Sequence, residues 1–357
     1  MRKDFLRKHG GPAPRYTSYP TAPHFHAGID GDVYARWLRQ LKPGQTVSLY
    51  IHIPWCDRLC WFCGCNTKQT LKYEPLTTYL AALTNEIETI SSLIDPGCRV
   101  TALHLGGGSP TMLRPDDIVT LSQTLRNRFN FDADAEISVE MDPNDLTADR
   151  YDALAAIGMT RASIGVQDFD EEVQKAINRE QTFEQTRDVV EQVRARGVRS
   201  VNCDVLYGLP HQTRKYMDRT IKKVLSLTPD RIALFGYAHV PWMKANQKMI
   251  DEAALPDVTE RFAQLNRAAS SLTLAGYTAI GIDHFALPAD SLAIAAASGA
   301  MRRNFQGYTS DTADALIGMG ASSIGQLPQG YVQNQPSTGE YQRQVNLGRL
   351  PVVRGFE

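Results

Sequence analysis

The sequence predicts an α/β protein whose parallel strands form a partly open barrel of six strand–helix units. Short apolar runs alternate with longer stretches of helical character, and six such pairs follow one another from Val47 to about Ala275. Consecutive strand–helix units build a parallel sheet with right-handed crossovers and the helices outside. Because a closed barrel of eight units typically takes about 250 residues, six units in this length favour a partly open one.

The individual elements follow from periodicity and from start and stop signals. The predicted strands are apolar runs at 47–53, 100–105, 137–141, 162–166, 201–206 and 231–235. The predicted helices lie between them, at 77–94, 116–129, 148–157, 183–196 and 213–225. Thr147 precedes one helix and Gly158 follows it, while Gly197 ends another, as is typical of helix caps. A seventh strand is predicted at 278–282.

The chain is predicted to have three parts: an N-terminal arm at 1–46, the barrel at 47–283 and a C-terminal extension of the barrel at 284–357. The arm begins with an irregular segment rich in Pro, Gly, His and aromatic residues. Its run at 14–21, Pro-Arg-Tyr-Thr-Ser-Tyr-Pro-Thr, suits an arm that packs against a site.

Composition argues against several classes of protein. The formal net charge of −1 provides no overall field toward nucleic acid or membrane. No apolar run approaches the ~20 residues of a membrane span, and the first residues lack the core of a signal peptide. Six cysteines, four of them within ten residues, suit a reducing compartment. We expect a cytoplasmic monomer with no nucleic-acid partner and no membrane span.

The strongest chemical signal is a group of cysteines directly after the first predicted strand. Cys56, Cys60 and Cys63 have the spacing C-x3-C-x2-C, and Cys65 follows two residues later. Pro54 stops the strand, so the thiols lie in a loop at its C-terminal end. Three thiolates in one loop suit a 4Fe–4S cluster, whose fourth iron then stays open. A zinc site and structural or redox cysteines remain alternatives.

Polar and glycine-rich segments follow the next strands, and ends of parallel strands meet at one edge of a sheet. The run at 106–111, Gly-Gly-Gly-Ser-Pro-Thr, predicts a backbone cradle for a cofactor, with a tight turn as the alternative. Glu140 and Asp142 end the third strand and could instead cap the following helix. Since an inward-facing acid requires a partner, we favour a functional role for Glu140.

The fourth and fifth strands carry further candidates. Gln167 and Asp168 end the fourth strand, Arg179 follows it, and Asp204 lies within the fifth among apolar residues. A buried aspartate requires a partner, so an Arg179–Asp204 salt bridge is the structural alternative to ligand binding. The segments at 237–241, 281–286, 302–308 and 318–324 could also approach a ligand, although each taken singly resembles ordinary loop sequence.

The cysteine spacing in a strand-to-loop setting resembles the radical S-adenosylmethionine enzymes. Together with the run at 304–309, Asn-Phe-Gln-Gly-Tyr-Thr, and the segment at 281–285, it resembles the oxygen-independent coproporphyrinogen III oxidase (coproporphyrinogen dehydrogenase) family. The resemblance extends from Arg15 to Gly355. Cys65 favours this family over the related haem chaperones, which usually have another residue at that position.

The resemblance implies a function. Two propionates of coproporphyrinogen III would be oxidatively decarboxylated without oxygen, through a 5′-deoxyadenosyl radical, to give protoporphyrinogen IX in haem biosynthesis. It implies a 4Fe–4S cluster, two molecules of S-adenosylmethionine, and a reduced donor of the flavodoxin or ferredoxin type. The alternative is a related haem chaperone or haem-modifying enzyme. Family members continue into a helical C-terminal domain, which we expect to be missing from this chain.

The resemblance also implies roles for individual residues. The cluster ligands would be Cys56, Cys60 and Cys63, and Glu140 and Cys65 would be catalytic, with Cys65 not binding iron. The first S-adenosylmethionine would be lined by Tyr50, Phe62, Gly107, Glu140 and Ile324, and the second by Gly108, Ser109, Gln167, Arg179, Asp204 and Ala238. Because propionates call for cations, Arg15, Arg302 and Arg303 are candidates for substrate binding.

Overall fold

The computed structural model describes residues 20–357 together with Lys8, so the run at 14–19, including Arg15, lies outside the described residues. Ten α-helices are present in the described part: α1 Gly31–Leu38, α2 Glu74–Leu93, α3 Pro115–Arg128, α4 Ala148–Ala156, α5 Glu171–Ala176, α6 Phe183–Ala195, α7 Arg214–Ser226, α8 Val258–Leu274, α9 Ser291–Ser298 and α10 Thr338–Asn346. Short 3-10 helices lie at Ala22–His24, Pro110–Met112, Pro143–Asp145, Ala245–Met249 and Glu252–Ala254.

The strands of the described part are β1 Thr46–Ile53, β2 Trp55–Cys56, β3 Lys68–Gln69, β4 Arg99–Gly107, β5 Asn130–Met141, β6 Arg161–Gln167, β7 Ser200–Tyr207, β8 Arg231–Gly236, β9 Thr278–Ile280, β10 His284–Ala286, β11 Arg302–Asn304, β12 Gly307–Thr309, β13 Ala315–Met319, β14 Ile324–Leu327, β15 Gly330–Asn334 and β16 Val352–Phe356. Twelve of them form one sheet in the order β16-β15-β14-β13-β1-β4-β5-β6-β7-β8-β10-β9.

The six predicted strands are confirmed as the centre of this sheet. β1, β4, β5, β6, β7 and β8 are neighbours in that order and all five pairings between them are parallel. The five predicted helices are also present, each within three residues of the predicted bounds. The alternation of strands and helices in the sequence therefore gave the correct α/β organisation of this region.

Both ends of the parallel centre are extended. β13 pairs parallel with β1, and β14, β15 and β16 continue antiparallel from it. At the other end, the seventh strand predicted at 278–282 forms only as Thr278–Ile280 and lies at the edge, antiparallel to β10. Gly281 has φ +58°, which turns the chain and ends that strand. The three-part division of the chain stays a prediction.

The two faces of the sheet differ because successive strand residues point to opposite sides. In β5, Ile137, Val139 and Met141 are buried in the apolar core, which also contains Leu83 and Ile87 of α2. Ser138 and Glu140 alternate with them and lie on the other face. The helix-covered face is therefore apolar, and the opposite face carries polar side chains.

An ionic network lies where β6, β7 and β8 begin. Arg231 donates to Asp290 from Nη2 at 2.6 Å and Nε at 3.1 Å, and Ser200 Oγ donates to the other Asp290 oxygen at 3.2 Å. Arg161 donates to both oxygens of Glu136, at 3.0 and 3.1 Å. These charges are paired, which is what burial of charged groups requires.

Across the part of the chain that the structure describes, every helix is too short or too polar to cross a membrane.

Candidate active site

The cysteine loop begins where β1 ends. Two short strands, Trp55–Cys56 and Lys68–Gln69, pair in parallel and bring the two ends of the loop together. Cys60 is buried, Cys56 and Cys63 are partly buried, and Cys65 is exposed. None of the six cysteines is in a disulfide. The thiols therefore lie on a closed loop above the C-terminal edge of the sheet, as the sequence predicts.

A cavity at this edge brings most of the predicted residues together. It is lined by Cys56, Arg58, Leu59, Cys60, Phe62, Cys63, Cys65, Thr67, Gly107, Gly108, Glu140, Met141, Asp142, Ser163, Gly165, Gln167, Arg179 and Asp204. The strand register explains this, since Glu140 lies opposite Ser163, and Gly165 lies opposite Asp204. Residues distant in the sequence thus share one face of neighbouring strands.

Glu140 is oriented by two donors from β4. Its Oε1 lies 3.1 Å from His104 Nε2, and its Oε2 accepts from the Gly107 N–H at 2.9 Å. Burial acts to raise the pKa of Glu140, but the bonds from His104 and Gly107 outweigh it and hold the pKa below the ordinary value. The side chain is still 41% exposed because it faces the cavity. Glu140 therefore presents a carboxylate to a ligand.

The glycine segment offers a ligand fewer donors than a free loop would. The N–H groups of Gly107, Gly108 and Ser109 donate to Glu140, Ile53 O and Trp55 O, at 2.9, 2.7 and 2.8 Å. A Cβ on Gly108 would lie 2.6 Å from Trp55 O, so this close approach requires glycine. These three amides are therefore already engaged within the protein and not available to a ligand.

The Arg179–Asp204 salt bridge considered as a structural alternative does not form among the described residues. Arg179 Nη1 instead donates to Asp142 at 2.9 Å, and Nη2 donates to Gly165 O at 2.9 Å. The same Nη1 lies 3.7 Å from Cys60 Sγ. Arg179 is therefore directed toward the cysteine loop and the end of β5, and Asp204 has other partners.

Asp204 bonds only to neutral groups in the described part of the chain. Asn202 Nδ2 donates to one oxygen at 2.8 Å, and Ser163 Oγ lies 3.4 Å from the other. Burial raises the pKa of Asp204 to about 6, and the bond from Asn202 opposes that rise. Asp204 makes no ion pair with the described residues, so its carboxyl is able to pair with a cationic group of a ligand.

Four predicted residues, Tyr50, Ser109, Ala238 and Ile324, are not among those that line the cavity. Tyr50 stacks on His104 with 5.6 Å between ring centroids, and lies opposite Gly318 in the strand register. Ile324 begins β14, next to Gly318. Ser109 is buried after Gly108, and Ala238 follows β8.

Two of the three arginines predicted to bind substrate are not among the residues that line the cysteine cavity. Arg302 and Arg303 line a separate cavity with Asn304, Thr309 and residues at the start of β13. Arg302 Nη1 donates to Thr312 O and Ala313 O, both at 3.1 Å. Substrate binding by these two arginines therefore stays a prediction.

Several residues around the cavity were not identified from the sequence. His104 and Ser163 are polar residues in apolar strands, a signal that could have been noticed beside Asp204. Asn246 and Gln247 contact the cysteine loop from an irregular segment after β8, and no sequence pattern indicates this.

Comparisons with known proteins agree with this geometry. Residues 50–224 match the radical SAM superfamily. Oxygen-independent coproporphyrinogen III oxidase of Paracoccus denitrificans is 48% identical over 96% of this chain and 76% of its own, and that of Bradyrhizobium diazoefficiens is 46% identical over 100% and 79%. The solved coproporphyrinogen III oxidase (HemN) of Escherichia coli, a radical SAM enzyme, has a TM-score of 0.93 and 41% identity over 99% of this chain and 80% of its own.

The chain belongs to the oxygen-independent coproporphyrinogen III oxidase family. Membership in this family of radical SAM enzymes implies a 4Fe–4S cluster and S-adenosylmethionine.

The residues present fit these groups. Two buried polar atoms have no hydrogen-bond partner within the described residues, Nε of Arg179, which lines the cavity, and Oδ1 of Asn202, which bonds to the lining residue Asp204 through its Nδ2. Both leave capacity for a polar ligand. Within residues 20–357, no group of His, Cys, Asp and Glu converges on one point closely enough to hold a single metal ion. Three thiols on one loop suit the three protein ligands of a cube with one open iron, which is the cluster that the family implies.

Proposed function

We propose that this chain catalyses the oxygen-independent oxidative decarboxylation of two propionates of coproporphyrinogen III to vinyl groups, giving protoporphyrinogen IX. The observation that carries the proposal is the cavity in which three thiols, Glu140, Arg179 and Asp204 meet at the ends of parallel strands. The similarity to coproporphyrinogen III oxidases over nearly the whole chain supports the substrate. Cys65, as a fourth cysteine at this cavity, favours an oxidase over the haem chaperone alternative.

Cys56, Cys60 and Cys63 would hold three irons of the cluster. When bound, the cluster and S-adenosylmethionine supply the 5′-deoxyadenosyl radical that takes a hydrogen from a propionate. Glu140, held in orientation by His104 and Gly107, would accept hydrogen bonds from the ammonium or ribose groups of the first S-adenosylmethionine. Tyr50, Phe62, Gly107 and Ile324 would complete that position.

We further propose a second S-adenosylmethionine beside the first, over β6 and β7. Asp204 and Gln167 support this position, as do Arg179 Nε and Asn202 Oδ1, which have no hydrogen-bond partner among the described residues. Gln167 has φ +65°, a strained conformation for a residue with a side chain, and it lies at a register shift in β6. Such strain is concentrated at functional sites, because a bound ligand can offset its free energy. Gly108, Ser109 and Ala238 would complete this position.

Cys65 would act without binding iron. It is exposed, its N–H lies 3.4 Å from Cys63 Sγ, and it lines the cavity outside the three-thiol group. We assign it to turnover of the substrate after the radical has formed.

We also propose the curvature of the sheet, the location of the protein, its electron donor and its oligomeric state. The sheet would curve into a six-unit partial barrel, which the likeness to the E. coli enzyme supports. The cysteines, none of them in a disulfide, suit a cytoplasmic location. A flavodoxin or ferredoxin type donor would reduce the cluster, and the chain would act as a monomer.

Anaerobic incubation with coproporphyrinogen III, S-adenosylmethionine and reductant tests the function. The reconstituted chain should release 5′-deoxyadenosine and form vinyl product, both measured by chromatography, and Cys56→Ala should do neither. Substrate-independent cleavage of S-adenosylmethionine with tight haem binding and no vinyl product would contradict the oxidase and favour the chaperone.

A further inference from the structure

We propose that Asn246 and Gln247 are positioning residues that hold the cysteine loop in shape and connect it to the segment after β8. This proposal rests on the proposed function, in which the loop holds the 4Fe–4S cluster. Both residues lie in the 3-10 helix Ala245–Met249, about 180 positions after the loop. Neither belongs to the residues that the family resemblance assigns to a cofactor.

Asn246 is directed into the cysteine loop. Its Nδ2 lies 3.0 Å from Cys60 O, 3.2 Å from Trp61 O and 3.0 Å from Cys63 O. One side-chain amide thus meets three carbonyls on the stretch between the second and third thiols. The backbone of this stretch is wound around the amide, which fixes the path from Cys60 to Cys63.

Gln247 is 1% exposed and uses its whole side chain. Its Nε2 donates to Phe62 O at 3.0 Å and to Ala238 O at 3.2 Å, and its Oε1 accepts from the Val240 N–H at 2.6 Å. Phe62 belongs to the proposed first S-adenosylmethionine position and Ala238 to the second. Gln247 is therefore a physical connection between the two.

Lys244 adds a contact at the far end of the loop, where its Nζ lies 3.2 Å from Cys65 O. Three side chains at 244–247 thus contact the carbonyls of residues 60, 61, 62, 63 and 65. An irregular loop cannot satisfy its own carbonyls as a helix does, so a partly buried loop needs donors from elsewhere. This segment supplies them.

All of these contacts join groups of the protein chain itself, so none of them depends on a bound cluster. Preorganisation of this kind stabilises the bound state by lowering the ordering entropy that binding must overcome. We infer that the loop in the metal-free protein is already close to the form that receives iron, and that losing Asn246 returns it to a mobile loop.

The test compares Asn246→Ala and Asn246→Asp with Asn266→Ala. Asp has nearly the shape of Asn but lacks the amide donors, so it separates lost hydrogen bonds from lost packing. Asn266 is a matched control because its Nδ2 donates at 2.8 Å to one carbonyl, Phe262 O, on the exposed side of α8.

The first measurement is hydrogen exchange of the loop amides at 59–66 in the metal-free protein. Both Asn246 variants should exchange at least 10-fold faster there, with the rest of the chain and Asn266→Ala unchanged. After anaerobic reconstitution, both should lose iron to a chelator at least 10-fold faster than wild type. Unchanged loop exchange in Asn246→Asp, or a uniform rise across the whole chain, would overturn the proposal.

Gln247→Leu tests the connection. It keeps the side-chain size and removes both bonds to the loop and to residue 238. The affinity for S-adenosylmethionine should fall about 10-fold, measured by calorimetry on protein with full iron content. An unchanged affinity would contradict the connecting role. Hydrogen exchange and iron retention can be measured without substrate. Absence of vinyl product in the wild type would therefore contradict the proposed function, but the Asn246 measurements would still decide whether this residue positions the loop.

Discussion

The two ends of β6, β7 and β8 both hold buried charges, yet they are built differently. At the beginning of these strands, Asp290 accepts from Arg231, from Ser200 and from the Leu292 N–H at 2.8 Å. Toward the other end of these strands and at the end of β5, Arg179 Nε has no hydrogen-bond partner and Asp204 has no ion-pair partner among the described residues.

The difference shows that charge and burial alone do not mark a functional site. A network whose donors and acceptors are matched stabilises the fold, since removing any member leaves a buried group unsatisfied. A set with hydrogen-bonding capacity left over, facing a cavity, is ready for a ligand. In parallel α/β proteins that second set lies at the C-terminal strand ends, as it does here.

The largest expected effect comes from the thiols at the cavity end. Cys56→Ala, Cys60→Ala and Cys63→Ala should each abolish cluster binding and S-adenosylmethionine cleavage, because an open-iron cube needs all three. Cys65→Ala should keep the iron and lose turnover. Iron analysis and 5′-deoxyadenosine release check this, and equal loss of iron in all four variants would show that Cys65 is also a ligand.

A substitution at the beginning of β6, β7 and β8 should lower the stability of the protein. Asp290→Ala leaves Arg231 buried without its carboxylate, so we expect the free energy of unfolding to fall by about 3–5 kcal/mol. Denaturant unfolding of the metal-free protein measures it. The protein that remains folded should bind S-adenosylmethionine as before. Weaker binding with unchanged stability would show that the Asp290 network serves ligand binding and not stability.

A third carboxylate, Glu86, extends the comparison because it is buried and both of its oxygens accept hydrogen bonds. It accepts from the Gly320 N–H at 2.7 Å, and from Asn334 and Tyr341 at 2.6 Å each. Burial raises its pKa from 4.5 to about 7, while those bonds oppose the rise. A raised pKa favours the folded state at low pH. The stability from protonated Glu86 is therefore complete below pH 4.5 and lost as the pH rises through 7.

We expect a loss of about 3 kcal/mol across that range relative to Glu86→Gln, which cannot titrate. Urea unfolding of both metal-free proteins between pH 4.5 and 8 checks it, and the other titrating groups cancel in the difference. Parallel stability curves for the two proteins would show that Glu86 keeps an ordinary pKa.

The smallest effect is expected at Asp204, which lines the cavity. Asp204→Asn should weaken binding of the proposed second S-adenosylmethionine by about 10-fold, or about 1.4 kcal/mol, because the charge facing the ligand is lost. In the wild type, that equivalent should also weaken below pH 6, where Asp204 takes up a proton. Calorimetric stoichiometry measures both, and a loss of thermal stability with two equivalents retained would make Asp204 structural.

The sequence alone determined the six parallel strands, the helices between them and the position of the thiols. These follow from local rules: alternation of apolar residues sets a strand, helical spacing sets a helix, and Pro54 stops β1 before the cysteines. Local order also placed Glu140 and Gln167 at strand ends and Asp204 within the fifth strand, and neighbouring parallel strands bring such positions together.

Only the tertiary structure decided which side chains meet. Arg179 pairs with Asp142 rather than Asp204, β13 lies beside β1, and Asn246 reaches the carbonyls of Cys60 and Cys63. Such pairings depend on the order of strands in the sheet and on the reach of individual side chains across loops. Neither the strand order nor these side-chain contacts can be read from periodicity along the chain, because both are set by packing between segments that are far apart in sequence.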